Sequence, residues 1–300
     1  MSREGTPPAP RVSIVVPAWN AAAFIERTLA TVAAQTFRDF EVIVVDDGSS
    51  DDTKLVVDRF MEKNGLRGRC IKQENKKIAG ARNTGIRAAQ AELISFLDHD
   101  DLWFPNKLER VMAEFGDADL VCHDENVVKD GKLVRVSRNG PWAPDMYERL
   151  LFEGNALSPS AVTVKKSKLF EAGLFREDPE FNTVEDYDLW MRLAKICRMR
   201  FLPEILGEYQ LVERGASNKI VYHNTNLEHL LRDHFRNFPS SDARMRRRLG
   251  VMCRSAARLL IAQGDLAAGG AYARRAVAEC PWDWKNVAVL GLWAAKRLGA

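Results

Sequence analysis

No apolar stretch in these 300 residues reaches the ~20 needed to cross a bilayer. Met1 to Pro10 is polar and proline-rich, without the apolar core of a secretion signal, so residues 1–10 are expected to be a flexible N-terminus. Such a chain is expected in the cytoplasm, with a peripheral position at the inner face of the membrane left open. Cysteine is scarce: five residues, an odd number without paired or C-x-x-C spacing, fit reduced thiols rather than a disulfide framework. Charge of one sign is also lacking. A net charge of only +3 argues against a nucleic-acid partner. The local run Arg244-Met245-Arg246-Arg247-Arg248 reads first as a solvated helix face and second as a contact for anionic lipid. What the chain has is apolar bulk: 46% hydrophobic content can bury one large core plus a smaller appendage.

The first half alternates short apolar runs with helical spacing. Val12-Ser13-Ile14-Val15-Val16 reads as a strand ended by Pro17-Ala18-Trp19-Asn20, before a helix with Phe24, Ile25, Leu29 and Val32 on one face. Glu41-Val42-Ile43-Val44-Val45 is a second strand, stopped by Asp46-Asp47-Gly48-Ser49-Ser50-Asp51-Asp52-Thr53, with Leu55, Val56, Val57 and Phe60 on the next helix. Cys70-Ile71 marks a weaker strand, Gly80 to Gly85 opens a helix, and Glu92 to Leu97 completes the alternation. This order predicts a mostly parallel, doubly wound α/β sheet with right-handed crossovers.

Directly after the run Leu93-Ile94-Ser95-Phe96-Leu97 stand Asp98-His99-Asp100-Asp101. Ligands of such sheets collect outside the carboxyl ends of the strands, and carboxylate oxygens suit hard divalent cations. An acidic N-cap for a helix through Leu102-Trp103-Phe104-Pro105 is an equally good reading of these residues alone. For Asp46 and Asp47 the bland alternative is a turn plus a helix cap at Ser49 or Ser50.

Five segments, VSIVVPAWN (12–20), FEVIVVDDGSSDDT (40–53), AGARNTGIRAA (79–89), LISFLDHDDLW (93–103) and VEDYDLWMRL (184–193), follow one another across roughly two thirds of the chain. Together they resemble family-2 glycosyltransferases. The resemblance implies a GT-A fold, a Rossmann-like mixed sheet that binds nucleotide diphospho-sugars, over residues 11–215, with residues 216–300 as a C-terminal helical region.

The resemblance also implies roles. Asp100 is the metal ligand of the D-x-D triplet, for Mn2+ or Mg2+, with Asp98 shared between the metal and the ribose or sugar hydroxyls. His99, between two inward-facing neighbours, is expected to pack or face solvent. Asp47 reads the N3–H of uracil or thymine, flanked by Pro17 and by Trp19, whose ring suits stacking on a base, so a UDP-sugar is the favoured partner and a dTDP-sugar the next. Arg82, read as opening a helix, is set for a phosphate or base contact, with a surface salt bridge as its alternative. Asp186 matches the base that takes the acceptor's proton, and Glu185 assists its orientation; Asp188 and Arg192 are spaced to pair at i, i+4. One base and no second nucleophilic carboxylate imply inversion at the anomeric carbon. The acceptor class is a glycan or lipid-linked glycan.

One departure stands out. Where relatives carry aromatic-Arg-x-His after their last core strand, Gly207-Glu208-Tyr209-Gln210-Leu211-Val212 has no histidine; either His223 or a loop carboxylate such as Glu213 substitutes, or the metal site is weaker and depends more on the nucleotide. A nucleotidyltransferase would want a glycine-rich basic loop after the first strand, which Pro17 to Ala23 lacks, and a non-catalytic glycan-binding subunit would dispense with acidic residues kept here. Trp142, in a segment 123–160 with no readable code, is expected in the core.

Beyond residue 215 helical spacing covers 221–236, 246–263, 266–279 and 284–298, with Gly264-Asp265 as a turn. Residues 256–289 resemble one tetratricopeptide-like helix pair, too few repeats to bury a face alone. A cap on the catalytic domain, a homodimer through the C-terminal helices, and a membrane-surface role for residues 287–295 all stay open.

Overall fold

The computed structural model describes residues 8–211, 220–239 and 241–299. Val212 and Glu213 lie outside them, as does most of the expected N-terminal arm. Described residues of 1–147, 156–177 and 185–212 form one compact unit, and those of 148–155, 178–184 and 213–300 form another.

The first unit opens with strand β1 (Val12–Ala18), helix α1 (Ile25–Ala33), β2 (Phe40–Asp46), α2 (Thr53–Asn64), β3 (Gly68–Lys72), α3 (Lys77–Ala88) and β4 (Leu93–Phe96). All seven residues of β1 and of β2 are buried. Continuous apolar strands of this kind need cover on both faces, which a parallel sheet with helical crossovers supplies. Pro17 does not end β1 but lies within it, opposite Val45 of β2. The reason is local: Leu97 N donates to Val15 O at 3.1 Å, and Pro17, two residues on, faces the same side beyond the end of β4. No ladder partner there needs the N–H that proline lacks. The turn after β2 is capped differently from expectation, since α2 begins at Thr53, whose N–H is taken by Asp51 Oδ1 at 3.1 Å rather than by Ser49 or Ser50.

The unit continues with β5 (Leu102–Trp103), α4 (Lys107–Glu114), a hairpin of β6 (Leu120–Lys129) and β7 (Lys132–Ser137) and, after α5 (Met146–Glu153), most of which belongs to the second unit, with β8 (Val162–Lys165), α6 (Lys166–Glu171), α7 (Glu185–Ala194) and β9 (Met199–Gln210). The nine-stranded sheet runs β3-β2-β1-β4-β8-β6-β9-β5, with β7 paired to β6. The four strands from β3 to β4 are parallel, as the alternation predicts, but β8 is antiparallel to both β4 and β6, so the sheet is mixed. Leu102-Trp103 is a strand and not a helix opening, because it pairs with Gly207 and Glu208 of β9 and Trp103 Nε1 donates to Ser160 O at 2.8 Å. Residues 207–210 belong to that last strand itself. Trp142, expected inside, is exposed.

The second unit is built on α8 (Ile220–Phe235), α9 (Ala243–Ala262), α10 (Leu266–Glu279) and α11 (Trp284–Leu298). Three of its helices start at an aspartate whose side chain accepts a backbone N–H: Asp242, Asp265 and Asp283. Gly264, at φ +85°, makes the turn that the sequence marks between α9 and α10. Helices α10 and α11 meet at Gly270, where a Cβ would lie 2.4 Å from the Trp293 ring, and Trp293 Nε1 donates to Leu266 O at 2.7 Å.

Candidate active site

Two loops at the carboxyl ends of β1 and β2 are stitched together first. Asn20, at φ +49°, accepts from Ser50 N at 2.9 Å and donates its own N–H to Ser49 Oγ at 2.9 Å, while Ala21 N reaches Thr53 Oγ1 at 2.8 Å. Asp46 holds this turn by accepting from Ser49 N at 2.9 Å, so it is structural. Asp47 is buried and differently engaged: its Oδ1 accepts from Gln73 Nε2 at 2.7 Å and from Lys76 N at 2.8 Å. Those bonds fix the carboxyl's orientation and use one oxygen only. Trp19, beside this loop, is 56% exposed, with its ring accessible to solvent.

Arg82 joins three distant motifs. Its Nη2 donates to Asp98 Oδ1 at 2.7 Å and its Nη1 to Glu185 Oε1 at 2.8 Å, with the guanidinium 5.3 Å from the Phe175 ring centroid. The helix begins at Lys77, so Arg82 sits in its second turn rather than at its opening, and the helix dipole plays no part in its role. Nor is it a surface ion pair, since the side chain is almost wholly buried. Burial alone would disfavour its charge, but Asp98, Glu185 and Asp186 together hold the guanidinium more firmly protonated than usual.

The acidic turn divides by environment. Asp98, His99 and Asp100 are half-buried and Asp101 is buried. Asp101 is a structural anchor: Ser160 Oγ donates to its Oδ2 at 2.5 Å, Gln210 N to its Oδ1 at 2.9 Å, and its carbonyl accepts from Thr28 Oγ1 at 3.0 Å. Burial and the charges of Asp98, Asp100 and Glu125 push its carboxyl well above the usual range. Burial also raises Asp100, with His99 opposing and Asp98 adding. His99 turns back onto β1, its Nδ1 3.2 Å from Pro17 O.

Helix α7 opens on Glu185-Asp186-Tyr187-Asp188, three acids at a helix start that favours them. Asp188 is paired with Arg192 at 2.6 Å, as the i, i+4 spacing suggests. Burial raises Glu185 to about 7 against the opposing charge of Arg82. Asp186 is raised as well, by burial first, with Arg82 lowering it and Asp98 adding to the rise. Two residues that the sequence does not single out complete the surroundings. Ser160 bridges the acidic turn by accepting from Asp98 N at 3.1 Å while donating to Asp101. Tyr209 of β9 is raised by burial and by Asp101, Asp98, Asp100 and Asp186, so the carboxylates of both motifs act on one phenol. His223 belongs to the second unit, where its Nδ1 lies 3.1 Å from Thr183 Oγ1.

Among the described residues no three His, Cys, Asp or Glu side chains are grouped as a metal site. Asp98 and Asp100 nevertheless suit a hard divalent ion held chiefly by a ligand's phosphates, because both offer carboxylate oxygens, Asp98 Oδ1 being the one taken by Arg82, and because the rise that burial and Asp98 cause at Asp100 is one a cation would relieve. No described helix is long and apolar enough to cross a membrane.

Solved structures similar to this fold include glycosyltransferases of the GT-A fold. S. aureus TarS 1-349 in complex with UDP matches at a TM-score of 0.58 and 20% identity, covering 97% of this chain and 92% of that one. The mannosyltransferase PcManGT from Pyrobaculum calidifontis, in complex with GDP-Man and Mn2+, matches at 0.62 and 21%, covering 97% and 88%. The fold is therefore that of a GT-A transferase with a C-terminal helical part. In sequence, the description Glycosyl transferase family 2 matches residues 13–165. An uncharacterized glycosyltransferase of Nostoc sp. is 30% identical over 69% of this chain and 66% of its own length, and the amylovoran biosynthesis glycosyltransferase AmsB of Erwinia amylovora is 30% identical over 68% and 71%. The chain belongs to glycosyltransferase family 2. It spans only 36% of the length of a similar glycosyltransferase from Rickettsia conorii.

Proposed function

We propose that the chain is a metal-dependent, inverting transferase that moves a sugar from a UDP- or dTDP-sugar to a hydroxyl of a glycan or lipid-linked glycan, in the synthesis of a cell-surface polysaccharide or lipopolysaccharide. The observation that carries the reading is the double ion pair of Arg82, which ties the acidic turn at Asp98 to the helix that begins Glu185-Asp186. Donor-side and acceptor-side groups of one displacement are thereby held by a single buried cation. The likeness to AmsB, an amylovoran biosynthesis glycosyltransferase, supports the polysaccharide setting, and the UDP complex of TarS supports the donor class.

In this reading the base lies against Trp19 and Pro17, and Asp47 accepts its N3–H through the oxygen that Gln73 and Lys76 leave free. Asp98 and Asp100 would hold Mn2+ or Mg2+, which when bound would neutralise charge on the departing pyrophosphate. Asp186 accepts the acceptor hydroxyl's proton as that oxygen attacks the anomeric carbon, and its raised affinity for protons makes it a better base than an exposed aspartate. Glu185, fixed by Arg82, orients it. A single attack from the face opposite the leaving group inverts the anomeric centre.

Transfer assays on Asp186→Asn test this directly. The amide keeps the shape and cannot take the proton, so kcat is expected to fall ~100-fold or more while donor affinity stays near wild type. Wild-type turnover in the variant, or retained configuration in the product by NMR, removes the single-base displacement. The metal half is separable. Calorimetry should show UDP binding tighter with Mn2+ or Mg2+ and weaker for CDP, with the metal effect absent in Asp100→Ala; unchanged metal dependence in that variant moves the ligand role elsewhere.

A further inference from the structure

Helix α11 turns an apolar stripe to solvent. Asn286 and Val289 are buried on its inner side, with Leu290 and Trp293 packed among them. At 100° per residue the opposite side carries Trp284, Val287, Gly291, Leu292, Ala295 and Leu298, all exposed, among them Trp284 at 70% and Leu298 at 89%. The stripe is about 21 Å long at 1.5 Å per residue, and no charged side chain interrupts it. Continuous apolar surface on that scale marks a contact site rather than an ordinary exposed face.

Charge decides what covers it. The charged residues of α11 are Lys285, Lys296 and Arg297; the first two border the stripe along one edge, and Arg297 lies over the Trp293 ring at 5.5 Å from its centroid. Residues 243–299 contain eleven Lys and Arg against three Asp and Glu, although the whole chain is only +3. Asp265 caps α10, Asp283 pairs with Arg254 at 2.6 Å and Glu279 lies 3.9 Å from Arg275, while Arg244 and Arg275 also pair with Asp242 and Glu228 outside this stretch, so the excess rests on the remaining cations, Lys285 and Lys296 beside the stripe among them. Just before the helix, Trp282 is also exposed, with Arg246 5.3 Å from its ring centroid. A second copy laid stripe against stripe would bring two positive fields together. An anionic lipid surface answers both features at once, since its acyl boundary receives the stripe and its headgroups meet the flanking cations. We propose that α11 is a membrane-docking face that seats in the headgroup region of an anionic bilayer, with Trp282 and Trp284 at the boundary.

The inference stands apart from the transfer chemistry. The test uses the full chain and sedimentation with vesicles of pure phosphatidylcholine or of phosphatidylcholine with 30 mol% (roughly one lipid in three, to set a strongly anionic surface) phosphatidylglycerol. Wild type and Asp186→Asn should both bind the anionic vesicles, at least ~10-fold more tightly than the neutral ones, with a blue shift of tryptophan emission. Leu292→Glu and Trp284→Glu replace exposed side chains, so thermal unfolding and donor binding should be unchanged while vesicle binding is lost; Lys285→Glu with Lys296→Glu should abolish the preference for anionic lipid. Absence of binding to anionic vesicles overturns the proposal, as does equal binding to neutral ones. A dimer in sedimentation velocity that Leu292→Glu dissociates would assign the stripe to a second copy and overturn it equally.

Discussion

Glu125 and Lys107 show what burial does to single residues. Lys107 is fully buried, donates to Ser95 Oγ at 3.0 Å and to Thr163 Oγ1 at 3.3 Å, and lies 3.6 Å from the Trp103 ring centroid. Burial pushes it down to about 7, with Glu125 opposing. Glu125 is buried without a well-formed hydrogen bond to either carboxylate oxygen. Burial pushes it up to about 7, with Ser158 and Asn139 opposing and Asp98 adding. A carboxyl raised on folding binds its proton more tightly in the native state, so its contribution is fullest below its ordinary value of 4.5 and is lost as pH rises through about 7. Glu125→Gln removes that titration. Chemical denaturation from pH 5 to 8 should therefore show wild type losing up to about 3 kcal/mol relative to the variant, and parallel curves would mean that the carboxyl titrates normally. None of this is legible in sequence, since seventeen intervening positions separate two residues whose encounter depends on how α4 lies over the sheet. Asp47, Asp98 and Asp186, by contrast, stand out by position at the ends of recognisable runs.

At the scale of elements, close approach sets the site. Helix α3 carries Arg82 and lies so near β1 that a Cβ at Gly85 would meet Val15 Cγ1 at 2.4 Å. Gly85→Ala should push the helix outward, at a cost of about 1–3 kcal/mol in unfolding free energy, and loosen the pairing of Arg82 with Asp98 and Glu185. Thermal unfolding and transfer rate should fall together, whereas an unchanged melting temperature would show that the helix yields without strain. Strands β1, β2 and β4 and the C-terminal helices are readable because their apolar spacing is continuous and local. Leu102-Trp103 is not, because a two-residue strand exists only through its pairing with β9, more than a hundred residues later. Residues 207–210, read as following the last core strand, continue it because β5 pairs with Gly207 and Glu208 and β6 pairs with Glu208, Tyr209 and Gln210.

For the molecule as a whole, the thiols report on burial in both units. All five cysteines are free. Burial raises Cys70 and Cys197 to about 12 and Cys253 to about 11, and Cys122 higher still. Little thiolate is then present near neutrality. A disulfide-exchange reagent at pH 8 should modify at most the half-buried Cys70 and Cys197 within minutes in the native protein, and all five after denaturation. Rapid reaction of three or more would mean a looser interior. Oxidising and reducing conditions should leave the melting temperature alike, because no disulfide contributes to it.

The amino-acid sequence by itself determined the alternation of the first half, the four-helix pattern of the end and the family, because each rests on local periodicity or on short contiguous motifs. Tertiary structure alone decided that the sheet turns mixed at β8, that Trp142 is exposed and that Arg82 is an internal cation binding two carboxylates. Those outcomes depend on which distant segments meet, and the physical quantity that governs them is loss of water around charged and apolar groups, which no single stretch of sequence carries.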